Sequence, residues 1–409
     1  MRVLWLLLLC SGAAFGEVRL GGHLKYLPSA TDFRSDDLAA VLGDDPALDQ
    51  GLDLRLKYQV RGGGFDADVH YELLALSGDS AQTLERARAA GLPTPSPLPS
   101  DERRLLDLTD TIQDQGRTLA TQRLDRLSLG YSTAYTVLRV GRQAVSWGNG
   151  LAFQVLDFIN PFAPLAIDKD YKTGDDMLYV QRLFDDGDDL QAMLVPRRDP
   201  KSGALRSDRS TLALKYHAMA SGLDLLAAAH YGQPRLGVGI SRSLGDAIGR
   251  LDLALSRRAR GGWELSLVAN LDYSWVWLGH NVYGFAEYFH SGVGVVGEED
   301  YPAPGPELTE RIARGELYTL ARDYLAAGLD AELSPLVHLK PTALANLNDG
   351  SGVLQVNLTY DWSQSVQLLG GVDLPLGARG SEYGGVPIPG TPWVSGGGRR
   401  AFVRVGWYF

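Results

Sequence analysis

Between Gly51 and Val60 every second residue is apolar. Leu52, Leu54, Leu56, Tyr58 and Val60 share one face of an extended chain, while Asp53, Arg55, Lys57 and Gln59 share the other. A strand with one greasy and one charged face needs an apolar medium on one side and water on the other. After the turn Arg61-Gly62-Gly63-Gly64 the pattern resumes, with Phe65, Ala67, Val69 and Tyr71 opposite Asp66, Asp68, His70 and Glu72. It returns in Trp263, Leu265, Leu267, Ala269, Leu271, Tyr273 and Trp275, and again in Leu354, Val356, Leu358, Tyr360 and Trp362. These runs are roughly nine to thirteen residues long, whereas soluble sandwich strands average about five or six and a tilted membrane-crossing strand needs about 9–11. The lengths select a membrane barrel.

The alternation predicts an all-β chain: a transmembrane antiparallel β-barrel of about 18 strands (about 16–18), beginning near residues 18–27 and ending at 399–409. Its connections alternate in length. Short turns fall at 61–64, 132–134, 185–188, 220–222, 279–280, 334–336 and 363–365. Longer excursions fall at 28–49, 77–122, 147–175, 198–209, 291–317 and 377–398. That is the plan of a barrel with both chain ends at the periplasmic rim and its long loops outside the cell. The excursion after the ninth strand is short, against the trend. Pro341 falls inside the strand VHLKPTALANL, where its missing N–H calls for a bulge or a rim position. The stretch 77–122 contains a proline cluster between helix-forming segments, which reads as a long extracellular loop with short helices rather than as a second domain.

The N-terminus fits that destination. Arg2, an apolar run from Val3 to Cys10, and Ala14-Phe15-Gly16 form a secretory signal sequence over 1–16, with the barrel occupying 17–409. Cleavage removes Cys10, the one cysteine, which excludes disulfide scaffolds, thiolate metal sites and cysteine nucleophiles. The formal net charge is −10, one unit more negative after cleavage, which argues against nucleic acid as a partner. No Walker loop, dinucleotide fingerprint or metal-spaced His cluster occurs, so neither cofactor nor metal is expected. Trp263 and Trp275 stand on the order of 30 Å apart along the membrane normal, the spacing of two aromatic girdles.

In AFVRVGWYF, Ala401, Val403, Val405, Trp407 and Phe409 share the outward face. A final strand of this kind ending in Phe resembles the assembly signal of Gram-negative outer-membrane barrels, which implies recognition of Phe409 by the barrel-assembly machinery and residence in the outer membrane among its lipids and lipopolysaccharide. A second resemblance rests on Gly141, Arg142, Gln143, Ser146, Trp147, Gly148, Asn160, Pro161 and Phe162. This GRQ-x-x-SWG strand end followed by an NPF loop is similar to a group of function-unassigned proteobacterial barrels, related in style to alginate-export and porin families. Some of those look like companions of inner-membrane exporters and lipoprotein-sorting factors. The resemblance therefore implies a porin-like channel or, alternatively, a component of lipid or polysaccharide export working with an inner-membrane or periplasmic partner.

Trp147 to Asp176 is the most irregular piece of a regular chain. Leu151, Phe153, Val155, Leu156, Phe158, Ile159 and Phe162 are too many large apolar residues for an exposed loop, so this third extracellular loop is expected to fold into the lumen and constrict it. Gly148 and Gly150 allow a tight departure from the strand. The candidate constriction and lining residues are Arg55, Lys57, Arg139, Arg142, Trp147, Asp157, Asn160, Phe162, Asp168, Lys169, Asp170 and Lys172. Opposed charges across such a neck set a transverse field that favours small polar solutes, although the same charges equally fit simple ion pairs that anchor the loop. An enzymatic alternative rests on Glu287, His290 and Ser291 near the outer rim. His290 and Ser291 are adjacent, hence on opposite faces of a regular strand, which counts against a rim lipid hydrolase; no catalytic residue is assigned. Nothing in the sequence sets the oligomeric state.

Overall fold

The computed structural model of the chain describes residues 16–92 and 96–409. Apart from Gly16, the expected signal sequence, with Cys10, lies outside the described residues. Inside them the chain forms twenty-one strands and three short α-helices. The first strands are β1 (Glu17–Asp32), β2 (Ala47–Gly62), β3 (Phe65–Gly78), β4 (Thr109–Gln115), β5 (Thr118–Ser132) and β6 (Thr136–Gln143). Then follow β7 (Asp175–Leu183), β8 (Asp189–Val195), β9 (Thr211–Ala218), β10 (Leu223–His230), β11 (Gln233–Leu244) and β12 (Ala247–Arg257). The remainder are β13 (Trp263–Trp277), β14 (His280–His290), β15 (Asp323–Ser334), β16 (Val337–Asn346), β17 (Gly352–Ser363), β18 (Val366–Leu376), β19 (Val386–Pro387), β20 (Val394–Ser395) and β21 (Arg399–Tyr408). The helices are α1 (Leu38–Leu42), α2 (Asp79–Ala89) and α3 (Pro306–Ala313).

Apart from β4, β19 and β20, each strand pairs antiparallel with a barrel neighbour on both sides, and β21 pairs with both β18 and β1, so the sheet closes on itself as an 18-strand barrel. Closure leaves no open edge within the membrane, where an unpaired N–H or C=O has no water to bond. Period 2 then does the sorting. On β13, Trp263, Leu265, Leu271 and Tyr273 are exposed on the outer wall, while Glu264, Val268, Asn270 and Asp272 are buried inside. Trp263 lies at the rim of the long loops, and Trp275, Trp362 and Trp407 lie near the rim of the short turns, as two girdles require.

Three local details sharpen the expected plan. The tight connection after β10 is a two-residue hairpin, with Tyr231 at φ 49° and Gly232 at φ 72°, both left-handed as a type I′ turn demands. Pro341 makes no bulge. Pairing between β15 and β16 lapses at Lys340 and Pro341 and resumes at Leu339 in the same register, and the shift comes later, between Glu332 and Ser334. The long loop after β3 contains α2 and also β4, which pairs with β5 over Thr118–Arg123. β6 has already turned away there, pairing with β5 only over Leu127–Ser132, so β4 covers the edge that β6 leaves bare.

Candidate functional site: a loop across the lumen

β6 stops at Gln143 and β7 starts at Asp175, and the chain between them enters the barrel. Two glycines make the departure possible. Gly148 sits at φ 92°, and a Cβ on Gly150 would collide with the carbonyl oxygen of Phe153. The apolar half then packs on the inner wall. Trp147 donates from Nε1 to Gln191 Oε1 at 2.6 Å, and Phe158 lies edge-on to His230. Phe153 stacks on Phe289 with ring centroids 4.4 Å apart, and Leu156 is buried above Gly237 and Gly239 of β11.

Two carboxylates of the wall hold the backbone of this half. Asp252 on β12 accepts from Asn149 N (2.6 Å) and Asn149 Nδ2 (2.7 Å). Glu287 on β14 accepts from the successive N–H groups of Leu151, Ala152 and Phe153, and from Asn270 Nδ2. Side chains from other long loops complete the same core: Tyr301, Leu317 and Leu320 from the segment between β14 and β15, and Tyr383 and Val386 from the one after β18.

The second half reaches the opposite wall. Tyr318 donates to Pro161 O (2.9 Å) and Gln355 on β17 to Leu165 O (3.3 Å). Lys25 on β1 binds Asp168 and Asp170, Arg404 on β21 lies 3.3 Å from Asp168, and Tyr408 donates to Asp170. Tyr171 is held at its hydroxyl by Lys57 Nζ (2.9 Å), with the Arg55 guanidinium 4.4 Å from its ring centre. The loop thus runs from β8–β15 across to β1, β2, β17 and β21, bridging the seam where first and last strands meet. Between the halves, Lys172 Nζ bonds both oxygens of Asp157 and the carbonyl of Val145. Burial pushes the Asp157 carboxyl up to about 6, against the pull of Lys172, and burial also lowers the Lys172 ammonium.

The residues singled out from sequence divide into groups. Lys57, Asp157, Asp168, Asp170 and Lys172 meet in or against the crossing loop, as does Arg55, which also binds Asp125 (2.9 Å) and Glu72. Trp147 is buried, Phe162 is half-buried, Asn160 takes φ 51° and donates to Thr173 O, and Lys169 donates to Pro164 O. Arg139 stands apart, paired with Asp66 at 3.2 Å near the short-turn rim. Arg142 is enclosed rather than facing open lumen, with bonds to Asp176, Asp101 and Leu106 O. The sequence reading missed Lys25, Asp252, Asn270, Arg404 and Tyr408. Their inward parity was legible, but their contact with a loop far away in sequence was not. At the rim, His290 bonds Asp323 (2.7 Å), Ser291 is buried, and Glu287 is committed to the loop, so the three candidate hydrolase residues do not converge.

No family model and no curated protein matches the chain. Solved structures do. Wzi from Escherichia coli, described as an outer-membrane protein involved in group 1 capsule assembly and a carbohydrate-binding β-barrel, superposes with a TM-score of 0.51 at 9% identity, covering 94% of this chain and 83% of Wzi. The chain has the fold of an outer-membrane β-barrel. OccAB2 of Acinetobacter baumannii (TM-score 0.49, 10% identity, 98% and 99% covered) and a BenF-like porin from Pseudomonas fluorescens (0.49, 9%, 97% and 100%) are similar over nearly their whole length. At these identities the likeness is one of fold. On the short-turn side of the crossing loop the inner wall of the barrel is polar and open. Inward-facing His338, Lys340 and Asp330 keep 31–45% of their side-chain surface exposed.

Proposed function

We propose that the barrel passes a small polar solute by diffusion through a lumen narrowed by residues 147–176, without energy coupling in this chain. The observation that carries this reading is the division of the crossing loop. Its apolar half is fixed to the wall, and its charged half, with Asp168, Lys169 and Asp170 partly exposed, lies above a polar, open inner wall carrying both signs of charge. Pore radius and lining charge would then set selectivity. Planar-bilayer recording of the purified barrel tests this. Discrete conductance steps that grow when residues 150–172 are deleted support a loop-constricted channel; silence in both the intact barrel and the deletion variant sinks it.

One observation favours a second reading. Three long loops build a continuous apolar core in the extracellular half of the lumen, an arrangement suited to a barrel that opens only on contact with a partner. Wzi, of similar fold, is itself described as a capsule-assembly component. A partner-dependent role in lipid or polysaccharide export with an inner-membrane transporter would give a silent bilayer and a periplasmic complex recoverable by in-cell crosslinking. In either case we infer that Phe409, which follows β21, is the residue the barrel-assembly machinery reads.

A further inference from the structure

We propose that a groove on the outer wall of the barrel binds one glycerophospholipid of the periplasmic leaflet. The groove has a volume of about 550 Å³ and lies across β11 to β15, within the range of about 300–1,000 Å³ common to small-molecule sites. Its floor exists because three outward positions on adjacent strands are small: Gly249 on β12, Ala269 on β13 and Ala286 on β14. The registers place them among leucines. Gly249 pairs with Leu271, Leu271 with Ala286, and Ala269 with Leu251, so a trough with aliphatic banks runs obliquely over the wall. A trough of this chemistry accepts a flexible hydrocarbon chain.

The headgroup is assigned by Arg242, which lines the same groove. It lies on the outward face of β11 with Leu236, Val238 and Leu244, is exposed, and has no ion-pair partner among the described residues. Arg242 stands two residues before Leu244, where β11 ends. Trp275 of the girdle likewise stands two residues before Trp277, where β13 ends. Both strands end there in short turns, on the periplasmic rim, so the guanidinium is at headgroup depth in the leaflet built from phospholipid. A guanidinium matches a phosphate through paired N–H donors. Lipopolysaccharide occupies the other leaflet, beyond the far end of the groove.

Native mass spectrometry of the full-length barrel, released from outer membranes in a mild detergent, tests the site independently of any conductance. The wild-type barrel should retain one phospholipid. Ala269→Leu/Ala286→Leu, which fills the floor from the outside, should cut that population about tenfold, and Arg242→Gln should cut it several-fold. Ala343→Leu/Ala345→Leu, on the outer face of β16, should retain the lipid. Folding of each variant is read from heat-modifiable electrophoretic mobility. Should the double variant not fold, Arg242→Gln decides alone, because it leaves the wall intact. Equal lipid in Arg242→Gln and wild type, a retained species that is lipid A, or a lipid-free dimer would each overturn the assignment.

Discussion

Glu287 on β14 accepts hydrogen bonds from the backbone N–H groups of Leu151, Ala152 and Phe153 at 2.6, 2.9 and 2.7 Å. With Asn270 Nδ2 at 3.0 Å, four donors meet one carboxylate, which has about four lone-pair positions to offer. The wall thereby fixes three consecutive amides of the loop that crosses the lumen. Removing the carboxylate leaves buried donors unmatched at about 1–3 kcal/mol each.

Glu287→Ala should therefore undock the apolar half of the loop while the barrel stays closed. Hydrogen exchange at the amides of residues 151–153 is expected to accelerate by about a hundredfold or more, the equivalent of about 3 kcal/mol, and bilayer conductance to become larger and noisier. Glu287→Gln keeps one acceptor oxygen and should fall between. Exchange as slow in the alanine variant as in wild type would show that packing of Phe153 on Phe289 alone secures the loop.

The Asp157–Lys172 pair makes docking depend on pH. Because burial raises the Asp157 carboxyl from an ordinary 3.8 to about 6, the docked loop holds that proton more tightly than an undocked one does. The contribution of the protonated acid to docking is complete below about pH 4 and is lost as pH climbs through 6. Protection of residues 155–172 from exchange, corrected for intrinsic rates, should accordingly decline between pH 4 and 6.5 in wild type. It should stay level across that window in Asp157→Asn, and an equal slope in both proteins would remove Asp157 as the source.

Asp168 and Asp170 are the acidic tip of the crossing loop, shared between Lys25 of β1 and Arg404 and Tyr408 of β21. Asp168→Asn/Asp170→Asn leaves Lys25 and Arg404 without their carboxylates at the neck. The expected result is a reversal potential displaced toward anion selectivity in a salt gradient, larger at low ionic strength because the field is screened within about 10 Å at 0.1 M. A pore whose selectivity is unmoved does not pass this tip.

The strands were legible because period 2 is a local signal. Trp263, Leu265, Leu271 and Tyr273 fall outward in sequence and in space, and so do Val403, Val405 and Trp407. The crossing loop was legible as an anomaly, since Phe153, Leu156 and Phe158 had no other place to be buried. What holds it was not. Asp252 and Glu287 are read easily as inward acids, yet their donors are backbone amides some hundred or more residues away, and no residue type marks an amide as an unpaired donor. For the same reason Arg142 reads as a pore cation. Only the fold of residues 96–108, which brings in Asp101 and Leu106, shows it enclosed.

That enclosure makes Arg142 and Arg139, three residues apart on β6, opposite cases. Arg142 is 1% exposed and binds Asp176 through Nε (2.9 Å) and Nη2 (3.0 Å), Asp101 through Nη1 (2.8 Å) and Leu106 O through Nη2 (2.7 Å). Removing one partner from a buried ionic network costs about 3–5 kcal/mol, so Arg142→Ala should lose about that much on unfolding by urea, followed by tryptophan fluorescence. It should also open the chain to trypsin at Arg103 and Arg104. Arg142→Lys keeps the charge without the fork and should recover less than half of the loss. Arg139 shares a single 3.2 Å contact with Asp66 and its side chain is one-third exposed, so Arg139→Ala should cost about 0–1 kcal/mol. Equal losses at the two positions would mean that Arg142 gains nothing from its enclosure and that the loop over residues 96–108 is held by other contacts.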